Sequence, residues 1–288
     1  MRAFLTNTIG GTLRPLANPR MSVGVGILLA LVLLGLVGPM FVDVRLSEPI
    51  SVRTNQPPSW AHPLGTDSGG RELIAVMIAG TPQTLKMGIL AGFIGVLIGT
   101  FLGLISGYFG GWTDRIISAV TDTMLTIPPL AILLVVAAAV RAVNVESMAL
   151  IIASLSWMYA ARVVRAQTLS LREQSYVQMA RLSGMGHMRI LLAEIFPNMV
   201  PIAFASLVGA TSGAILSGMG LEVLGLGPQN VPTLGMTIYW ALLYAAFSRG
   251  MWWWWTPPVL ILVLLFLALF LISSALDDFA NPRLRSSR

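Results

Sequence analysis

The side chains that most often carry out chemistry are scarce in this chain. It has no cysteine, which excludes disulfides and thiolate metal sites, and its two histidines, His62 and His187, lie far apart in the sequence. Transition-metal sites usually need several clustered ligands, so we expect both histidines to be ordinary loop or surface residues. No spacing resembles a catalytic triad or a paired acid and base. We therefore predict no catalytic, cofactor-binding or metal-binding residues.

Nucleotide hydrolysis by this chain is also disfavoured. A P-loop needs a lysine directly after a glycine to hold phosphates. The only lysine, Lys86, follows Leu85. If ATP supplies energy to the protein, we expect another subunit to bind ATP and Mg²⁺ and to hydrolyse the nucleotide.

Composition predicts a membrane protein. Hydrophobic residues make up 56% of the 288 residues and charged residues 10%, whereas a typical soluble domain has about 25% charged residues. The net charge is +6, but the arginines lie between apolar runs rather than in one patch with interleaved aromatics, which argues against a nucleic-acid partner. They are typical of topology determinants.

The apolar runs predict an all-α bundle of six transmembrane helices. A spanning helix needs about 20 mostly apolar residues, and six runs approach or exceed this length: 21–42, 87–108, 116–140, 145–161, 199–221 and 252–276. The first has no small-residue cleavage site after it, so we predict an uncleaved span rather than a signal peptide. A further uncharged stretch, 231–247, contains Pro232 and Gly235. We predict a membrane-surface or re-entrant helix there.

These spans define the expected organisation of the chain. An N-terminal tail (1–20) and the first transmembrane helix (21–42) precede a periplasmic or extracellular connector (43–84). A core of five helices (85–276) with a loop at 162–198 leads to a C-terminal tail (277–288). Placing both termini in the cytoplasm puts twelve basic residues inside and six outside, in agreement with the positive-inside rule. We predict a bacterial inner-membrane protein with Trp252–Trp255 at the outer interface.

Small residues and an acidic residue mark the helices of the predicted core. Glycines three or four residues apart predict close helix packing, with a ligand groove as the alternative: Gly88, Gly92, Gly95, Gly99 and Gly103. Asp122 and Pro128 interrupt the third span, and we regard them as candidate gating or pathway residues. We expect Asp122 to reach the interface or to pair with Arg115, and Pro128 with Pro129 to kink the helix. Glu222 and the loop after it are expected to face outside.

The loop 162–198 has internal organisation and five arginines. Ser175 and Gln178 fit a capping box at the start of a helix, and Gly184 can supply the left-handed residue that ends it. A second short helix is expected from His187 to Phe196, ending before Pro197. Helices this short are marginal alone in water, so they need the bundle or a partner to pack against.

Several segments together resemble the permeases of ABC importers. The loop sequence 176–184, Tyr-Val-Gln-Met-Ala-Arg-Leu-Ser-Gly, with Pro197-Asn198 beyond it, resembles their EAA loop. Other segments resemble the dipeptide/oligopeptide/nickel subgroup: 159–167, 169–173, 62–67, 70–72, 107–115, 224–227 and 281–283. Three positions depart from the pattern, because Gln178 stands where the family usually has Glu, Met179 where it has Ala, and Glu194 where the subgroup often has His.

The resemblance implies a type I importer permease with a cytoplasmic coupling helix that docks into an ATPase subunit. It implies these ATPase-coupling residues: Tyr176, Val177, Gln178, Met179, Ala180, Arg181, Gly184 and Pro197. The expected partners are a second homologous permease, two ABC ATPases that bind ATP and Mg²⁺, an external solute-binding protein, and membrane lipid. From the predicted topology alone, we expect the solute-binding protein to dock near Glu222. The chain would form half of the pathway for di- or oligopeptides, with nickel complexes or oligosaccharides as alternatives.

Two other classes of protein fit the sequence less well. A self-contained channel or secondary transporter predicts several intramembrane ionisable residues and an internal repeat. Away from the first and last turns, the predicted spans contain one acid, Asp122, and no obvious repeat. A membrane scaffold without transport activity does not explain the organised loop. We therefore favour the importer permease.

Overall fold

A computed structural model of the chain describes residues 18–140 and 143–280. The predicted tail 1–20 lies almost entirely outside these ranges, as does the segment 281–283 of the family resemblance. Within them the structure is helical, and the one bridge between extended segments joins Thr66 to Glu72.

Nine α-helices account for most of the described residues. They are α1 (Pro19–Val37), α2 (Leu73–Phe109), α3 (Gly111–Thr126), α4 (Pro129–Ala139), α5 (Val145–Leu171), α6 (Ser175–Leu182), α7 (His187–Val223), α8 (Leu234–Leu243) and α9 (Trp252–Ala280). Helices α1, α2, α5, α7 and α9 are long and apolar enough to cross a membrane, and α3 with α4 forms a sixth candidate bent by 87°. The predicted all-α membrane fold is confirmed.

The chain divides into two compact units, each of which has its own core. Within the described residues, the first unit contains 18–86, 143–145 and 218–280, and the second contains 87–140 and 146–217. In the first, α1 packs along α9, where a Cβ at Gly24 would lie 2.9 Å from the Ala268 carbonyl oxygen. Trp254, fully buried, lies at the centre of a cluster with Leu73 and Met251.

Hydrogen bonds hold the connector before α2 together and join it to α9. The backbone N–H of Glu72 donates to the carbonyl oxygen of Leu46 at 2.8 Å, and Trp253 Nε1 donates to that of Thr66 at 3.4 Å. His62 Nδ1 contacts the Glu72 carboxylate. His62 is therefore a loop residue with a structural partner.

Close helix contacts in the second unit follow the predicted glycine stripe. A Cβ at Gly92 would lie 2.8 Å from the Thr211 backbone nitrogen in α7, and one at Gly99 would lie 2.4 Å from the Trp157 carbonyl oxygen in α5. Such separations leave no space for a side chain. The packing role of the stripe is confirmed.

The helices are longer than the apolar runs. Helix α2 starts at Leu73, inside the predicted connector, and its 37 residues make it about 55 Å long, compared with about 30 Å for the hydrocarbon core of a bilayer. Likewise α5 continues to Leu171, inside the predicted loop. The first two turns of α2 are apolar and largely buried, but Pro82, Gln83 and Lys86 separate them from the apolar run at 87–108. The last turns of α5 carry Arg162 and Arg165, so they do not continue the apolar run before them.

Helix α7 departs from the prediction at Pro197. The expected short helix ending before this residue is wrong, because His187–Val223 is continuous. Leu191–Ile195 forms a π-turn, in which the N–H of Phe196 donates to the carbonyl oxygen of Leu191, five residues back. The wider turn changes the register of the carbonyls that a prolyl ring would otherwise meet, so the helix passes through Pro197.

Candidate functional site

Helix α6 is positioned at its N-terminal side by Arg172, the first residue after α5. Arg172 Nη1 donates to the carbonyl oxygen of Gly107 at 2.9 Å, and Arg172 Nε donates to Glu173 Oε1 at 2.9 Å. The last carbonyls of a helix have no intrahelical partner, so a basic side chain near the end of α2 satisfies one of them. This hydrogen bond therefore fixes the position of the chain before α6 relative to the end of α2.

The predicted capping box at the start of α6 is wrong. Ser175 is already the first helical residue, and the cap is Gln174, whose side chain makes no capping hydrogen bond. A capping side chain must come from a residue with a non-helical backbone, and that residue is Gln174 (φ −71°, ψ 146°) rather than Ser175. Gln178 instead donates from Nε2 to the carbonyl oxygen of Glu173 at 3.2 Å.

The predicted left-handed residue at the end of α6 is confirmed. Gly184 has φ +77°. The N–H of Met185 donates to the carbonyl oxygen of Ala180 at 3.1 Å, and the N–H of Gly184 donates to that of Arg181 at 3.0 Å. This pair of bonds is a Schellman motif, which satisfies the final carbonyls and turns the chain toward α7.

One face of α6 is anchored in the second unit. Val177 is fully buried and Ala180 nearly so, in a cluster with residues of α2, α5 and α7: Leu104, Tyr108, Val164, Ile190, Leu191, Ile195 and Met199. Removing a side chain the size of Val177 from water stabilises a fold by about 1.5–3 kcal/mol. Val177 and Ala180, predicted as coupling residues, therefore lie on the anchoring face.

The opposite face of α6 has apolar side chains exposed at the surface of the protein. Leu182 is 84% exposed and Met179 64%, and Tyr176 is partly exposed. Gln178 and Arg181 are exposed beside them. We call Tyr176, Gln178, Met179 and Leu182 the outer face of α6. Arg181 follows Val177 by four residues, about 40° around the helix, and its guanidinium lies over the ring of Tyr108 in the anchoring cluster. Exposed apolar side chains on a helix too short to span a membrane are typical of a protein-binding surface.

Leu182 is the member of the outer face that was not predicted from the sequence. It follows Val177 by five residues, which is about 140° around a helix. Taking the buried Val177 as a reference, helical periodicity would have placed Leu182 on the opposite side. Pro197, predicted as a coupling residue, lies in α7 beyond the π-turn and is exposed.

Asp122 and Pro128 lie near the break between α3 and α4. Asp122 Oδ1 accepts a hydrogen bond from Arg162 Nη2 at 2.6 Å, and both side chains are more than half exposed. The expected pairing with Arg115 is wrong, because that guanidinium lies over the Trp112 ring, 5.4 Å from its centroid. The predicted kink is confirmed by the 87° bend.

A second, less exposed ion pair was not predicted. Arg165 donates from Nε and Nη2 to the two carboxylate oxygens of Asp114, at 2.5 and 2.7 Å, and the Ser106 hydroxyl donates to Oδ1 at 2.5 Å. This bidentate pair joins the first turn of α3 to α5. Arg165 belongs to the predicted loop 162–198, where an arginine needs no counter-charge, so the sequence carried no signal for this pair.

Glu222 is a buried residue near the end of α7, not an exposed docking residue. Its side chain lies against the first turn of α8, where a Cβ on Gly235 would be 2.1 Å from Oε2. The same turn is held by Leu234, whose N–H donates to Thr84 Oγ1 at 3.1 Å, and by Thr233, which caps the helix. Glu222 is thus an acid buried within a candidate span, and its side chain packs against the start of α8.

Comparisons with known proteins agree with the family resemblance. A family model described as "Binding-protein-dependent transport system inner membrane component" matches residues 99–286. The matched region runs from the last third of α2 through α9 and includes α6.

Curated relatives with similar sequences are transport permeases. The chain is 33% identical over 175 residues to the oligopeptide transport system permease protein OppC of Mycobacterium tuberculosis (strain ATCC 25618 / H37Rv), covering 60% of each chain. It is 30% identical over 199 residues to OppC of Lactococcus lactis subsp. cremoris, covering 69% of this chain and 66% of the relative. It is 37% identical over 175 residues to the glutathione transport system permease protein GsiD of Escherichia coli, covering 61% and 57%. The match spans about 60% of the length of the Mycobacterium relative.

A solved structure shares the fold. A chain of the MetNI methionine ABC transporter in an inward-facing conformation superposes with a TM-score of 0.50 at 21% identity. The superposition covers 71% of this chain and 94% of that one.

Proposed function

Because this chain belongs to the family of binding-protein-dependent transport system inner membrane components, we propose that it is a permease subunit of an ATP-driven importer that takes up peptides. The chain is a multi-pass inner-membrane protein with five or six candidate spans in its described residues. Its relatives include oligopeptide and glutathione permeases. These names favour peptides over the nickel complexes and oligosaccharides considered above.

The observation that carries the proposal is the two-sided structure of α6. Its inner face, Val177 and Ala180, is buried against the transmembrane helices, while Met179 and Leu182 are exposed on its outer face. A helix fixed on one side and apolar on the other can transmit the movement of a bound partner to the helices that hold it. In this proposal the partner is an ABC ATPase, and the outer face of α6 is its docking surface.

The remaining partners are those that an ATP-driven importer requires besides this chain. Two ATPases bind ATP and Mg²⁺ and hydrolyse ATP in the cytoplasm, since this chain has no P-loop lysine. A loaded solute-binding protein docks outside, and the peptide passes between this chain and a second, homologous permease. Alternating access is thereby driven by ATPase closure that reaches the spanning helices through α6.

Affinity purification tests the proposal. The tagged chain is purified from its native host in mild detergent, and its partners are identified by mass spectrometry. The wild type is expected to recover a second permease and ABC ATPases. With the double variant Met179→Gln and Leu182→Gln, we expect the amount of ATPase recovered to be at least about tenfold lower. Each apolar side chain buried at the interface contributes about 1.5–3 kcal/mol to binding. It should keep the second permease.

The matched control is Ile50→Gln, which changes an apolar side chain that is 91% exposed in the connector. It should leave the ATPase recovery unchanged. ATPases that remain at the wild-type level on the double variant would contradict docking at α6. A wild-type complex of this chain alone that moves solute into vesicles without ATP would replace the proposal by a secondary transporter.

The substrate class needs a separate measurement. Hydrolysis of ATP by the purified complex is measured with its binding protein loaded with a peptide, a nickel complex or an oligosaccharide. We expect the peptide-loaded protein to stimulate hydrolysis most. Stimulation by one of the other two ligands alone would exclude the peptide assignment.

A further inference from the structure

Three side chains from three different helices meet near the end of α2. Tyr108 of α2 is only 5% exposed. Its hydroxyl lies 3.0 Å from Nδ1 of His187, the first residue of α7. The guanidinium of Arg181, in the last turn of α6, lies over the Tyr108 ring at 5.3 Å from its centroid. We call these three residues the Tyr108 junction.

Each contact in the junction has a physical basis. A buried phenol hydroxyl needs a hydrogen-bond partner, and His187 supplies one while its ring meets that of Tyr108 edge-on at 5.8 Å between centroids. A guanidinium above an aromatic face is attracted by the ring quadrupole. Tyr108 is thus held through its ring by α6 and through its hydroxyl by α7.

The chain between the two holding residues is short and ordered. Arg181 and His187 are separated by the Schellman motif at Gly184, which fixes the direction of the turn. A displacement of α6 therefore moves Arg181 and His187 together. Both act on the same tyrosine ring.

The position of Tyr108 in α2 connects it to the next helix. Two residues later the chain turns through Gly110 (φ +65°) and Gly111 (φ +59°) into α3. One residue earlier, the Gly107 carbonyl accepts the hydrogen bond from Arg172. Tyr108 therefore lies next to the joint between α2 and α3, and α3 leads to the bend at Pro128.

We propose that Tyr108 is the positioning residue through which movement of α6 reaches the transmembrane helices. The proposal rests on the proposed function, in which an ATPase moves α6. Tyr108 is too buried to touch that ATPase, so it acts through Arg181 and His187. The alternative role for Tyr108 is structural only, as a packing residue of the second unit. That role predicts changes in stability without a change in coupling.

The test compares uptake with hydrolysis in the complete transporter. The complex from the native host is reconstituted into liposomes with its binding protein, ATP is supplied to the ATPases, and radiolabelled trialanine is the probe peptide. Tyr108→Phe keeps the ring and removes the hydroxyl. We expect ATPase recovery and the rate of hydrolysis to stay near wild type. The peptide taken up per ATP should fall about threefold to tenfold, the effect of one lost hydrogen bond.

Matched variants separate coupling from packing. Tyr159→Phe makes the same chemical change at a tyrosine that is 66% exposed and should leave the ratio unchanged. His187→Asn retains a hydrogen-bonding atom near the position of Nδ1 and should retain coupling, whereas His187→Ala should behave as Tyr108→Phe. Combining Tyr108→Phe with His187→Ala should lower the ratio no further, because both remove the same contact.

The outcomes distinguish this inference from the proposed function. A wild-type ratio in Tyr108→Phe overturns the role of Tyr108 and leaves the importer intact. Loss of the assembled complex in Tyr108→Phe also overturns it, in favour of packing alone. A wild-type preparation without ATPases overturns the proposed function, and this inference with it.

Discussion

At the scale of single residues, the backbone of Gly184 makes the sharpest prediction. Its φ of +77° is a conformation that costs an L-residue about 1 kcal/mol or more. Gly184→Ala should therefore loosen the end of α6, and trypsin cleavage after Arg181 should become about fivefold faster, because native-state proteolysis follows local opening. A Cβ at this position would meet no atom within 4 Å, so the effect reports backbone strain rather than a clash.

Gly186 provides the control for this prediction. It also has no neighbour within 4 Å of an added Cβ, and its backbone is extended (φ −66°, ψ 148°). Gly186→Ala should leave the cleavage rate unchanged. Equal acceleration in both variants would show that the left-handed turn is not what holds the segment.

The two ion pairs that involve α3 should differ in their contribution to stability. Asp114→Asn leaves the guanidinium of Arg165 without its counter-charge in a partly buried site, which should cost about 3 kcal/mol. Asp122→Asn breaks a pair whose side chains are more than half exposed, so the cost should be about 0–1 kcal/mol. The aggregation temperature of the purified complex at pH 7 should therefore fall further in Asp114→Asn than in Asp122→Asn. A larger loss in Asp122→Asn would contradict this order.

Residue roles were predictable where they depend on nearby sequence. The glycine that ends α6 and the prolines that bend the third span act through their own backbone, so residue type was sufficient. The partner of Asp122 was not predictable, because Arg162 is forty residues away and competes with the nearer Arg115. The capping box failed for a smaller reason, since the helix starts one residue earlier than its signature requires.

At the scale of helices, the glycine stripe of α2 determines how closely its neighbours approach. Gly99→Ala places a Cβ 2.4 Å from the Trp157 carbonyl oxygen and 2.7 Å from the Ala160 Cβ. Because both atoms belong to α5, the helices must separate, at a cost of about 1–3 kcal/mol. We expect a lower aggregation temperature by size-exclusion chromatography after heating.

Gly209 in α7 is the control for the stripe. An added Cβ there meets nothing within 4 Å, and replacing glycine by alanine in a helix is favourable by about 1 kcal/mol. Gly209→Ala should therefore match or exceed the stability of the wild type. If Gly99→Ala were as stable as Gly209→Ala, the stripe would not determine how closely α2 and α5 approach each other.

The existence of the helices was predictable from hydropathy, but their ends were not. Five of the six apolar runs coincide with continuous helices long enough to cross a membrane, and the sixth, 116–140, is divided between α3 and α4. The first turns of α2 are apolar but are separated from the run at 87–108 by Pro82, Gln83 and Lys86, and the last turns of α5 contain Arg162 and Arg165. Neither extension continues the adjacent apolar run, so a hydropathy profile does not place these helix ends. The passage of α7 through Pro197 depends on a π-turn, for which the sequence carries no recognised signal.

At the scale of the whole molecule, the absence of cysteine makes the predicted orientation directly measurable. Leu182→Cys and Trp60→Cys introduce thiols at exposed positions of α6 and of the connector. If both termini are cytoplasmic, a membrane-impermeant maleimide should label Trp60→Cys in intact spheroplasts, and Leu182→Cys only after permeabilisation. Labelling of Leu182→Cys from outside would invert the topology and remove α6 from the reach of an ATPase.

The class of the whole molecule was predictable because many short segments agree in order and spacing. Each of them is weak alone, whereas together they identified the permease family that the comparisons confirm. The proposed docking surface was only partly predictable. Family resemblance marks the segment, but only the fold separates its anchoring residues Val177 and Ala180 from the exposed Met179 and Leu182.

The π-turn at Leu191–Ile195 has a consequence for how α6 is aimed. A π-turn holds one residue more than the regular α-helical pattern, and each residue corresponds to about 100° of rotation. Deleting one residue there would preserve a continuous helix but would rotate His187, and the chain that precedes it, around the axis of α7. The length of the π-turn therefore sets the direction in which the outer face of α6 points about the axis of α7. The number of residues in this turn, more than their identity, determines it.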